Sequence, residues 1–125
     1  MSSPFETSLE GLLERDFRYP RAAYRFVHEA LNFTVAGLGM QRHVSGRELL
    51  EGIRRYALDE FGPLTLCVLN EWGIRSCIDF GHIVFNLVDV GLLGKTDEDS
   101  LADFEGGYDF EEAFRKPFLP TAKMG

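Results

Sequence analysis

Three histidines and two cysteines are the side chains of this 125-residue sequence best suited to metal or nucleophile chemistry, and their spacing limits what each can do. Cys67 and Cys77 do not form a C-x₂₋₄-C pair, and no His-x₃₋₅-His run completes a zinc set. Cys77 and His82 are five positions apart, about 140° around a helix, so they do not share a face. Both thiols lie in or beside apolar runs and read as reduced, buried side chains, not as a disulfide framework. His43 stands two residues before Ser45, but that serine fits a helix cap better than a nucleophile, and His28 falls within a helical run near Tyr24. No Gly-x-Ser-x-Gly elbow or Walker-type glycine loop is present. A calcium loop begun at Asp97 fails at Leu101 and Ala102, where an oxygen ligand and a glycine are required. No catalytic residue, cofactor or metal ligand is therefore assigned. An enzyme remains an alternative, and a well-formed pocket lined by His82 or His43 beside a shifted carboxylate would support it.

Charge singles out one segment. The formal net charge is −7, yet residues 1–95 carry ten basic and twelve acidic side chains. Residues 97–112 hold eight acids and no base, and Arg115, Lys116 and Lys123 follow. Set among those acids are Phe104, Tyr108, Phe110 and Phe114. Carboxylates steer a basic partner and aromatic rings anchor it, so Asp97, Asp99, Asp103, Phe104, Glu105, Tyr108 and Phe110 are the expected partner-binding residues. The plainer reading is an acidic hairpin whose rings pack on their own domain. A field of this sign repels nucleic-acid phosphates and anionic lipid.

The elements that must position these residues are mainly helical. Ser3-Pro4 with Glu6 opens the first helix, whose inner face is Phe5, Leu9, Leu12 and Leu13. Pro20 starts a second through about Gly37, with Ala23, Val27, Ala30, Leu31 and Thr34 inward. Ser45-Gly46-Arg47-Glu48 is a capping box, followed at helical spacing by Leu49, Leu50, Ile53, Tyr56, Ala57 and Phe61. Gly62-Pro63 closes that helix and begins a short fourth one through Trp72, which Gly73 ends. Ser76 and Asp79 cap a fifth, which stops at Gly91. Residues 92–110, with Gly106-Gly107 as a tight turn, read as a small β-hairpin or extended arm. No apolar run approaches the roughly 20 residues needed to span a bilayer, and no leader pattern is present, so a cytoplasmic location is expected.

These elements give a mainly α, five-helix single domain over 1–125: an N-terminal helical pair (1–40), a three-helix core (45–91) and an acidic-aromatic hairpin and tail (92–125). Two architectures fit. One is winged-helix-like, with the fifth helix for recognition and 92–114 as the wing; the other is a helical bundle with an extended tail. The winged reading suggests a transcriptional regulator, but the fifth helix would present Asp79, His82, Asn86 and Asp89, and the wing would carry eight carboxylates. A DNA partner is not expected from such a surface.

The string itself carries a resemblance. Arg42-His43-Val44-Ser45-Gly46, Glu48-Leu49-Leu50-Glu51-Gly52-Ile53-Arg54, Phe61-Gly62-Pro63, Glu71-Trp72-Gly73-Ile74, Gly91-Leu92-Leu93-Gly94-Lys95-Thr96 and Gly107-Tyr108-Asp109-Phe110-Glu111-Glu112-Ala113-Phe114 are among its segments. In these the sequence resembles a conserved bacterial family known mainly from the planctomycete and verrucomicrobial lineages. The resemblance covers nearly the whole chain and implies a single-domain cytoplasmic protein, but brings no reaction, ligand or site residue. The expectation is a protein-interaction domain that meets a basic partner through its acidic-aromatic arm, without a cofactor or a membrane. The eleven phenylalanines leave room for a homodimer patch.

Overall fold

The computed structural model describes residues 4–120, and among them the chain forms five α-helices and no strand. They are α1 (Pro4–Arg15), α2 (Arg21–Leu38), α3 (Gly46–Phe61), α4 (Thr65–Glu71) and α5 (Cys77–Asp89). Ser3, the expected first cap, and Lys123 lie outside the described residues. The capping boxes form as the spacing requires. Glu48 N–H donates to Ser45 Oγ at 3.1 Å, and Ser45 N–H donates back to Glu48 Oε1 at 3.0 Å. Asp79 likewise accepts from Ser76 N–H at 3.2 Å and from Arg75 N–H at 2.8 Å. Gly73 and Gly91, both with φ of +79°, end their helices in the left-handed region that favours glycine.

The core lies where α2, α3 and α5 meet. Leu9 and Leu12 of α1, Ala23, Val27 and Ala30 of α2, and Leu49, Leu50, Ile53 and Ala57 of α3 are all buried. α2 and α3 approach closely because Gly52 faces Thr34: a Cβ at 52 would sit 1.7 Å from the Thr34 Oγ1. The buried Thr65 is satisfied by the Gly62 and Ala57 carbonyls, 2.7 and 3.2 Å from its hydroxyl. α5 is the central element, with Cys77, Phe80, Gly81, Ile83 and Leu87 buried.

That position overturns the winged-helix reading. The polar residues expected on an outward face of α5 are mostly used within the chain. Asp79 Oδ1 accepts the Tyr19 hydroxyl at 2.6 Å, and Asn86 Nδ2 donates to the Tyr24 hydroxyl at 3.0 Å and to Asp16 Oδ2 at 3.2 Å. Asp79, His82 and Asn86 are half-buried, and only Asp89 of the four is exposed. Burial and the Asp79 partner push the Tyr19 phenol above its ordinary range.

The hairpin expected at 92–110 is corrected as well. Leu101–Phe104 is a 3₁₀ turn, Glu111–Arg115 a π-helical turn and Lys116–Phe118 a second 3₁₀ turn, with no wing. The reason is local. Ser100 and Asp103 form a third capping box, Ser100 N–H donating to Asp103 Oδ2 at 3.1 Å. Asp99 accepts the Thr96 N–H three residues before it in the same manner, and Asp109 accepts the Glu112 N–H three residues after it. Asp side chains that hydrogen-bond their own backbone favour turns over ladders. Cys77 is buried as expected, but Cys67 is exposed on α4, contrary to the reading of both thiols as buried.

Candidate functional site

The C-terminal turns position the site. A Cβ on Gly81 would stand 2.9 Å from both Leu101 Cδ1 and Phe104 Cβ, so the bare glycine lets the 101–104 turn lie directly on α5. Phe104, 2% exposed, meets Phe85 edge-on at 6.4 Å between ring centres. Asp103 is thereby brought beside Gly46 at the start of α3.

Beneath this turn and the connection before α3 lies a partly enclosed pocket of about 330 Å³. Its walls are apolar: Leu31 and Val35 from α2, Leu49 from α3, Val84 and Val88 from α5, and the Phe104 ring. Its mouth is polar, with Arg42, His43, Lys95, Asp99 and Asp103. His43 Nε2 lies 2.7 Å from Asp99 Oδ2, joining the two sides of the mouth. Asp99 also accepts the Thr96 N–H at 2.8 Å. Burial alone would raise the Asp99 carboxyl, but the Thr96 N–H and His43 outweigh it and hold it below its ordinary value. Arg42, at the mouth, grips Glu48 behind it through both terminal nitrogens, at 3.1 and 2.6 Å. That guanidinium, with the Ser45 N–H, holds the Glu48 carboxyl down at about 2.

The seven residues expected to bind a partner divide. Asp99, Asp103 and Phe104 come together at the pocket. Tyr108 and Phe110 instead join Phe80 and Phe114 in a separate ring cluster, with Phe110–Phe114 at 5.1 Å and Phe80–Phe110 at 5.7 Å. Phe110 is 7% exposed, and the Tyr108 hydroxyl donates to the Leu50 carbonyl at 2.9 Å. The rings of the arm are thus built into the domain, as in the plainer sequence reading. Asp97 and Glu105 are exposed, and neither carboxylate has an ion-pair partner among the described residues.

No family model, curated protein or solved structure matches this chain.

The chemistry of the pocket is accordingly read from its own atoms. No serine, threonine or cysteine lines it, so the His43–Asp99 pair has no hydroxyl or thiol to activate there. Among the described residues no group of three His, Cys, Asp or Glu is arranged to hold a metal ion, and no helix is long and apolar enough to cross a membrane. Sequence reasoning missed Arg42, Lys95 and the apolar walls. Val35, Val84 and Val88 look like ordinary inward helix positions, and only the packed tertiary structure reveals that they line a space. The one sequence signal was the presence of His43 just ahead of the α3 cap.

Proposed function

We propose that this protein is a small-ligand-binding domain that takes a mostly apolar molecule into the pocket beneath the 93–104 segment. The observation that carries this reading is the pocket's construction: apolar walls from three helices under a mouth of charged groups, at about 330 Å³. That lies at the small end of the roughly 300–1,000 Å³ usual for ligand sites. The absence of a hydroxyl or thiol beside the His43–Asp99 pair favours binding over acyl-transfer catalysis. The resemblance to the bacterial family supplies no ligand.

A neutral fluorescent naphthylamine dye tests the reading. Val84→Trp, which fills the pocket from α5, should abolish the dye's fluorescence gain while leaving the helical circular dichroism intact. Equal dye binding by wild type and the Val84→Trp variant would end the proposal.

Protein interaction is the second reading, now reduced to the carboxylates. Asp97, Glu98 and Glu105, exposed and without an ion-pair partner among the described residues, support it as a face for a basic partner. Asp99 and Asp103 are unsuited to a mutational test because they cap turns. The informative comparison is capture of a basic protein by wild type and by Asp97→Asn, Glu98→Gln, Glu105→Gln together; equal capture removes this reading.

A further inference from the structure

Resting on the pocket as a ligand site, we infer that the ligand carries a carboxylate on its apolar body and that Lys95 receives it. The inference follows from which charges at the mouth already have partners. Glu48 is held by Arg42 and by the Ser45 N–H. Asp99 is held by His43 and by the Thr96 N–H. Asp103 accepts the Ser100 N–H. Arg42 is committed to Glu48 and to the His43 carbonyl, 3.0 Å away. Among the cations of the mouth, Lys95 alone has no charged partner among the described residues.

The mouth therefore offers one cation without any partner at the edge of an apolar cavity, whereas each of its carboxylates already accepts at least one hydrogen bond. A carboxylate completes that arrangement. An ammonium head would compete with His43 for Asp99 and with the Ser100 N–H for Asp103, and would be repelled by Lys95. The modest volume favours a short alkyl chain or a single ring over a bulky lipid, and the carboxylate class covers both.

Displacement of the neutral dye by three ligands of one chain length, decanoate, decanol and decylammonium, separates the head group from the tail. Decanoate should displace the dye best. Lys95→Met should weaken decanoate by about fivefold, the scale of one exposed ion pair, and leave decanol within about twofold. Lys95→Arg should keep most of the decanoate preference, and high salt should erase it. Equal displacement by all three heads, or an unchanged decanoate affinity in Lys95→Met, would overturn the carboxylate inference while the pocket reading stood. Dye binding that Val84→Trp does not reduce, or none in wild type, would overturn the pocket reading and this inference with it. Lys95 is exposed, so its replacement leaves the fold unchanged and the result readable.

Discussion

Phe26, Tyr56, Phe61 and Trp72 form one cluster of rings; Phe80, Tyr108, Phe110 and Phe114 form another. In the first, Phe26 of α2 meets Tyr56 and Phe61 of α3 at 5.4 and 5.5 Å, and Trp72 at the end of α4 at 5.6 Å. Each ring is delivered at helical spacing by an element that would form from local pattern alone. In the second, a single ring from α5 receives three from a segment of short turns, with Tyr108 set edge-on to Phe114 at 5.7 Å. The two differ in what supplies order before the rings meet. Helix hydrogen bonds pre-arrange the first cluster, whereas the second must itself organise the segment that carries it. Aromatic burial can thus substitute for regular secondary structure when enough area is removed from water.

Parity between the clusters is the strongest claim to break. Phe26→Ala and Phe114→Ala, at 4% and 1% exposure, should each lower unfolding free energy by about 4 kcal/mol in urea titrations. A loss below about 1 kcal/mol for Phe114→Ala alone would make the C-terminal segment an appendage. A smaller effect sharpens the contrast. Gly81→Ala forces a methyl against Leu101 and Phe104 and should cost about 2 kcal/mol, with loss of amide-exchange protection over 96–114. Tyr108→Phe removes the hydroxyl bond to the Leu50 carbonyl and should cost about 1 kcal/mol by the same titration.

The smallest effect concerns the helical side and depends on pH. The Arg18 guanidinium and backbone N–H beside Asp16, with Asn86, hold its carboxyl at about 2 rather than 3.8. A carboxyl lowered in the folded state binds its proton more weakly there than in the unfolded chain. Its contribution is therefore complete above about pH 4 and lost as pH falls through about 2. With solvent screening the contribution is about 1 kcal/mol at neutral pH. Asp16→Asn should be less stable than wild type by that amount at pH 7 and approach it as pH falls below about 2, and a difference independent of pH would remove the assignment.

The same contrast separates the elements legible in the sequence from those that are not. Helices α2, α3 and α5 were legible because apolar spacing, Ser45–Glu48 and Ser76–Asp79 all point to the same boundaries. Gly106-Gly107 between aromatic residues suggested a hairpin because tight turns and β-rich composition look alike in one dimension. The competing signal is Asp three residues after a potential cap, at Thr96–Asp99 and Ser100–Asp103, with Asp109 itself a cap for the Glu112 N–H, a pattern that favours isolated turns. The carboxylate positions were read as a surface and remain at one, but their rings face inward. Three of the seven expected residues fall at the pocket, whereas Lys95 and the valines of its walls carried no pattern distinct from an ordinary loop and core.

Gly81, Cys77 and Leu50 are all covered by residues that come much later in the chain: Leu101 and Phe104 lie on the first, and Tyr108 on the other two. During translation these surfaces on α3 and α5 emerge from the ribosome without their cover. A nascent chain that has passed Asp89 but not Phe114 holds its helices with the ring-binding face of α5 open to water and to other chains. Chaperone binding or aggregation on stalled chains should accordingly peak between those two lengths and fall once the last ring is released.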